Sequence, residues 1–291
     1  LKSPYATISN IQTFFEAKGI RAQKKFGQNF LIDQNIVDFI VKSAEPLLTE
    51  NMSLAEIGIG LGTLTYPVLC LDKKTFLFEI DHAYIQLAKE EILPIFPKAV
   101  LYEGDALENL HHIYQEKVFV FGNLPYHLTT EIINTLVIHC RNFQGGIFMV
   151  QKEFAERLVK ETSSLSVFLS AFCDVKYLKT VHKNCFFPIP KIHSALILLK
   201  PKIQTEPNEW RLTSERDVEV WSRMLRTLFW GKRKQIQVSL RESPFSEDPL
   251  FREALGKAIQ SAEIPPTARP EELNREQFLT LGQHLLDHLS K

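Results

Sequence analysis

Glu56-Ile57-Gly58-Ile59-Gly60-Leu61-Gly62-Thr63-Leu64-Thr65 decides the fold of this 291-residue chain. Leu54 to Ile57 is a short apolar run that reads as a buried strand, and Leu64 to Leu71 reads as a helix whose first turn tolerates Pro67. Gly58, Gly60 and Gly62 form the turn between them, where the backbone can approach a ligand closely and the next helix offers free N–H groups. The spacing is G-x-G-x-G rather than the strict dinucleotide fingerprint, so the turn alone names no ligand.

The same alternation repeats on both sides of this unit. Ile36, Val37, Ile40 and Val41 give residues 34–48 one apolar helical face. Phe76 to Ile80, Val100 to Tyr102, Val118 to Phe121 and Gly146 to Val150 read as strands, separated by helices that run to about Glu91 and from Thr130 to Cys140. Strand–helix alternation implies a parallel sheet covered on both faces. Phe168 to Val175, Lys179 to Asn184 and His193 to Leu199 are expected to be further strands, forming an antiparallel edge. Beyond Pro201 a polar stretch over 203–215 reads as a linker, followed by helices over 216–230, 232–242, 248–262 and 271–289. The expectation is an α/β domain over 1–202 and a small all-helical domain over 203–291.

The chemistry gathers where open α/β sheets bind ligands, at the carboxyl ends of the strands. Glu79, ending the second strand about 20 residues after the glycines, is placed to accept hydrogen bonds from a ribose diol. Asp105, in Gly104-Asp105-Ala106 after the third strand, can accept a proton from an adenine amine. Surface solvation for Glu79 and helix capping for Asp105 are the plain structural alternatives, but the ordered series suits an adenosyl cofactor. The fourth strand ends in Asn123-Leu124-Pro125-Tyr126. An exocyclic base amine is a poor nucleophile because its lone pair is delocalised into the ring. A protein that uses one must offer acceptors for its protons and a flat surface for its base. The Asn123 oxygen, a backbone carbonyl beside Pro125 and the Tyr126 ring meet those needs, although a strand-ending turn explains the tetrapeptide equally well on its own.

Charge is balanced, with 34 basic and 34 acidic side chains, which argues against a nonspecific nucleic-acid binder. Its distribution is uneven. Arg223, Arg226, Lys232, Arg233, Lys234 and Arg241 occur with no Asp or Glu between Arg223 and Arg241, Lys18, Arg21, Lys24 and Lys25 crowd near the N-terminus, and residues 45–116 are acidic. Separate basic surfaces that follow phosphates are one reading, and solvated helix faces the other. No apolar run reaches the roughly 18 residues of a membrane span, and no basic-then-apolar leader pattern opens the sequence, so an intracellular, cytoplasmic protein is expected. Cys70, Cys140, Cys173 and Cys185 lack metal-ligand spacing and read as free thiols.

Taken together, these motifs resemble the small-subunit ribosomal RNA adenine dimethyltransferase family over nearly the whole chain. The resemblance rests on Lys25-Phe26-Gly27-Gln28-Asn29-Phe30-Leu31, the Glu56 to Thr65 stretch, Glu79-Ile80-Asp81, Gly104-Asp105-Ala106 and Asn123 to Tyr126. Met149 to Glu153 followed by Arg157, Phe186-Phe187-Pro188-Ile189-Pro190-Lys191 and the Phe229 to Gln235 stretch extend it. It implies that the α/β domain over 1–202 is Rossmann-like, and it implies S-adenosylmethionine as cofactor, with Gln28, Asn29, Leu31, Gly58, Gly60, Glu79, Ile80, Asp105, Ala106 and Asn123 around it. It implies a target adenine held by Asn123, Leu124 and Pro125 between the rings of Tyr126 and Phe186. Lys24, Lys25, Arg223, Arg226, Lys232, Arg233 and Lys234 would then engage RNA. The implied substrate is a pair of adjacent adenines near the 3′ end of small-subunit rRNA, within an immature small ribosomal subunit, and the implied state is a monomer without metal. Large-subunit rRNA methylation of the macrolide-resistance type and noncatalytic ribosome assembly are the rival readings. Three positions depart from the family pattern: Ile59 stands where Pro is common, His193 where Asp is frequent, and the Arg157 to Leu165 stretch is shorter than the usual loop.

Overall fold

The computed structural model describes residues 2–19, 29–140, 142–202, 212, 214–231 and 233–290. Lys24, Lys25, Gln28 and Lys232 lie outside them. The chain divides into two units, residues 1–155 with 176–201 and residues 156–175 with 202–291.

The first unit opens with α1 (Ile8–Lys18), β1 (Phe30–Leu31) and α2 (Gln34–Ala44). The alternating series follows: β2 (Ser53–Ile57), α3 (Thr65–Leu69), β3 (Thr75–Glu79), α4 (His82–Leu87), β4 (Ala99–Glu103), α5 (Ala106–Asn109), β5 (Val118–Asn123), α6 (Thr129–His139) and β6 (Phe143–Gln151). After α7 (Lys152–Lys160) and α8 (Ser164–Ser170) come β7 (Cys173–Val181), β8 (Phe186–Phe187) and β9 (Ser194–Pro201).

Seven strands form one sheet in the order β4-β3-β2-β5-β6-β9-β7. The first five are parallel, and β9 runs antiparallel to β6. Every residue of β2 and β3 is buried, as expected of parallel strands covered on both faces. α2 supplies Ile36, Val37, Ile40 and Ala44 to an apolar cluster with Leu54, Phe119, Phe121 and Met149. α1 and α4 supply Ile11, Phe14, Tyr84 and Leu87 to a second cluster with Phe30, Ile59 and Leu61.

The topology fixes where a ligand can bind. From β2 the chain winds outward through β3 and β4, then returns to lay β5 on the other side of β2. Between two strands whose crossovers depart in opposite directions a crevice opens at the carboxyl ends. Ile57 pairs with Gly122, so the glycine turn after β2 and Asn123 at the end of β5 emerge side by side at that crevice.

The second unit holds α9 (Glu215–Leu228), α10 (Ile236–Glu242), α11 (Pro249–Ser261) and α12 (Arg275–Leu289). Ser214 and Asp217 close a capping box at the start of α9, which buries Trp221, Met224, Leu225 and Leu228. The segment 156–175, assigned to the first domain from sequence, belongs to this unit. The Trp221 indole N–H donates to the Phe168 carbonyl at 3.4 Å, and Arg275 donates to the Leu158 carbonyl at 2.8 Å.

Other expectations change in detail. Phe168 to Val175 is not a strand: α8 occupies Ser164–Ser170, and the strand begins at Cys173. The Ser163 hydroxyl accepts from the Ser166 N–H while the Ser166 hydroxyl accepts from the Ser163 N–H, which nucleates a helix. Val167, Phe168 and Leu169 are all buried, so the run shows neither helical nor strand periodicity. The strand expected over Lys179 to Asn184 ends at Val181, where a short 3-10 turn over Lys183–Cys185 takes over. The helix expected from residue 232 starts at Ile236, after Arg233 adopts a left-handed φ of 65°.

Candidate active site

A cavity opens at the crevice between β2 and β5, lined by residues that include Asn29, Phe30, Leu31, Glu56, Gly58, Gly60, Thr63, Glu79, Ile80, Asn123, Leu124, Pro125 and Tyr126. Its floor is the glycine turn. Gly60 holds a φ of 51°, and a Cβ there would sit 3.2 Å from the Phe30 ring, so only glycine fits without strain.

Glu79 ends β3 and is nearly buried. One carboxylate oxygen accepts from the Gly60 N–H at 2.9 Å, and the other accepts from the N–H groups of Ile80 and Asp81 at 2.8 and 2.9 Å. Three of the roughly four acceptor sites of a carboxylate are thereby filled, and one remains for a ligand. Burial raises the Glu79 carboxyl above its ordinary value and the Asp81 charge adds to this, against the three N–H groups, which lower it.

Glu56 is the residue that sequence reasoning missed. It stands in the fully buried β2 and is 2% exposed, yet it lines the cavity. Its Oε2 has no hydrogen-bond partner, and neither do the hydroxyls of Thr63 and Thr65. Burial pushes the Glu56 carboxyl up to about 8; the Thr65 hydroxyl close beside it acts against this, and the nearby Glu79 charge adds to it. A lone acid in an otherwise apolar strand is the signal that could have flagged it.

Asn123 is oriented by its amide nitrogen, which donates to the Asn29 carbonyl at 2.9 Å. A carbonyl partner identifies the nitrogen end of the amide, so Oδ1 is the atom left to accept from a ligand. The Leu124 N–H donates to the Met149 carbonyl at 3.1 Å. The Pro125 carbonyl accepts from the Leu128 N–H and the Thr129 hydroxyl, which leaves the Leu124 carbonyl as the second candidate acceptor. Tyr126 is held through its hydroxyl, 2.8 Å from the Ser194 hydroxyl, and burial raises its pKa.

Three expected residues stand apart from the lining. Asp105 caps α5 by accepting from the Leu107 N–H at 2.9 Å, with Ala106 as the first helical residue. Phe186 is 1% exposed, paired with Leu31 between β8 and β1, and it packs in the core beside Met149 and Leu196. The cavity wall therefore carries Tyr126 without Phe186 opposite it.

The expected RNA-binding cations are unequal. Arg223 donates to the Phe245 carbonyl at 2.8 Å, pairs with Asp248 and lies 4.0 Å over the Phe251 ring. Lys234 pairs with Glu242 and covers the Trp230 ring. Arg226 and Arg233 are exposed and, among the described residues, carry no ion pair.

Residues 19–282 match the family model described as ribosomal RNA adenine dimethylase. The chain belongs to the ribosomal RNA adenine dimethylase family. Among curated members, ribosomal RNA small subunit methyltransferase A of Buchnera aphidicola is 33% identical over 271 residues, covering 90% of this chain and 92% of that protein. Its namesake from Clostridium acetobutylicum is 31% identical over 288 residues, covering 95% and 98%. The fold is shared with a dimethyladenosine transferase from Plasmodium falciparum, at a TM-score of 0.71 and 24% identity over 86% of this chain and 94% of that one. It is shared also with the 23S rRNA methyltransferase ErmE, at a TM-score of 0.64 and 24% identity over 88% and 99%. This dimethylase is accordingly an S-adenosylmethionine-dependent rRNA adenine dimethyltransferase with a Rossmann-like domain and C-terminal helices. Among its described residues no helix is long and apolar enough to cross a membrane.

The cavity of the dimethylase fits that cofactor. Glu79 keeps an acceptor position for a ribose hydroxyl, the glycine turn leaves room that a Cβ would fill, and the unpartnered Glu56 Oε2 gives the cavity wall a further polar atom for a ligand.

Proposed function

We propose that the chain dimethylates two adjacent adenines in the loop of the 3′-terminal helix of small-subunit rRNA, acting as a cytoplasmic monomer on immature small subunits. The observation that carries this reading is the Asn123 amide, anchored by its nitrogen to the Asn29 carbonyl with its oxygen left to accept. The curated relatives, called small subunit methyltransferase A, support the choice of subunit.

S-adenosylmethionine supplies an electrophilic methyl on a cationic sulfur, so the protein's task is positioning rather than nucleophilic attack. Glu79, Gly58, Gly60, Ile80, Asn29 and Leu31 would hold it in the crevice, and Asp105, outside that lining, would offer the adenine end only the oxygen it does not use to cap α5. Asn123 Oδ1 and the Leu124 carbonyl accept hydrogen bonds from the two N–H groups of the target amine. The nitrogen lone pair is thereby drawn out of conjugation and aimed into the cavity. Tyr126 supplies the flat surface, fixed in place by Ser194. The adenine must leave its stack to reach this pocket, which is easiest in an unpaired loop. A second transfer requires the monomethylated amine to rotate, so the pocket must hold one methyl already present.

Label transfer from S-adenosylmethionine into undermethylated small subunits, followed by mass mapping of the RNA, tests the reading. Dimethyladenine at two adjacent 3′-terminal sites is the expected result. Label confined to large-subunit RNA would move the substrate, and binding to immature subunits without transfer would leave an assembly role.

A further inference from the structure

The turns on either side of β8 bring two histidines together outside the cavity. His182, exposed after β7, and His193, half-buried before β9, have ring centroids 4.4 Å apart. The His193 Nδ1 accepts from the Lys183 backbone N–H at 3.2 Å, and the His182 Nδ1 accepts from the Asn184 backbone N–H at 3.3 Å. A backbone N–H can only donate, so both Nδ1 atoms are unprotonated and each neutral ring carries its hydrogen on Nε2. The pair therefore presents two N–H donors even without charge.

The surroundings are cationic. Burial lowers the His193 pKa, and His182, Lys183 and Lys152 lower it further by their charge. Two imidazole N–H donors with two lysines close enough to act on His193 make a donor set suited to phosphate oxygens.

This cluster is tied to the base pocket by the backbone. The Lys152 N–H donates to the His193 carbonyl at 3.0 Å, Gln151 pairs with Ser194 across β6 and β9, and the Ser194 hydroxyl holds Tyr126. A nucleotide whose base lies on Tyr126 must route its backbone over the adjacent surface.

We propose that His182, His193, Lys152 and Lys183 form a phosphate clamp that grips the RNA strand beside the adenine being methylated. The clamp rests on the reading of the Tyr126 pocket as the base site. It differs from the basic stretch of the C-terminal helices in contacting the nucleotides next to the reacting one.

The test compares the full-length protein with its His193→Asp and His193→Gln variants. The probes are undermethylated small subunits and a short single-stranded RNA containing adenosine. His193→Asp is expected to weaken binding of both about tenfold and to reduce the slope of log Kd against log salt by about 1, because its carboxylate cancels one of the lysine charges that neutralise the phosphates. Its melting temperature and S-adenosylmethionine affinity should stay at the wild-type values. His193→Gln, which keeps an N–H donor at a similar reach, should remain within about threefold of wild type. Equal Kd and salt slope for wild type and His193→Asp overturns the clamp. So does a His193→Gln variant as weak as His193→Asp, which marks a packing role. If the wild type ignores small subunits yet binds the short RNA with the same dependence on His193, the clamp stands and the substrate reading fails. Binding of neither RNA overturns both.

Discussion

Replacing Asn123 by Ala removes the bond to the Asn29 carbonyl and the side-chain acceptor for the target amine together. Loss of one preorganised group at a reacting centre costs about 100- to 1000-fold in rate. Asn123→Ala should therefore lower methyl transfer by about 100-fold or more with the fold retained by circular dichroism, and unchanged turnover would remove Asn123 from the site. Glu56 leads to a different measurement. Its carboxyl is pushed from 4.5 to about 8 in the fold. Below about 4.5 folded and unfolded chains both hold the proton; between about 4.5 and about 8 only the folded chain keeps it. Rising pH thus favours unfolding across that window, and the loss is complete above about 8. Denaturant titrations from about pH 5 to about pH 9 should show the wild type losing stability by a few kcal/mol more than Glu56→Gln. Parallel curves for the two proteins would mean that Glu56 ionises normally.

At the scale of elements, the cap of α8 matters because the surrounding run is ambiguous. Ser163→Ala deletes the hydroxyl that accepts from the Ser166 N–H and should destabilise the protein by about 1 kcal/mol, read as a lowered melting temperature. No change would mean that burial alone holds the helix. The same element shows what the sequence could and could not convey. The parallel strands were legible because Leu54 to Ile57, Phe76 to Ile80 and Val118 to Phe121 are apolar runs bounded by turn signals. Phe168 lies in an apolar run of equal quality, and only the capping box and its packing on Trp221 make it helical. Within the site, Glu79 and Asn123 were legible from their place at strand ends. Glu56 was not, since burial of a strand residue depends on what covers the sheet. The burial of Phe186 depends on the pairing of β8 with β1, two segments far apart in sequence.

For the molecule as a whole, residues 156–175 leave the first unit to complete the second. A chain cut after Lys202 keeps this segment but loses Trp221 and Arg275, which bond the carbonyls of Phe168 and Leu158. Such a fragment should bind a hydrophobic dye and aggregate, whereas a soluble fragment that melts cooperatively would show that the segment is content without those helices. The interleaving also sets a clock on biosynthesis. Trp221 follows Phe168 by 53 residues, and Arg275 follows Leu158 by 117. At about 5–20 residues per second, α8 emerges roughly 3–10 s before its indole partner is made, and Leu158 waits longer for its arginine. Throughout that interval the nascent chain carries an apolar helix without the Trp221 and Arg275 partners that hold its segment in the fold, so the speed of translation through residues 170–275 governs how long it stays open to wrong partners.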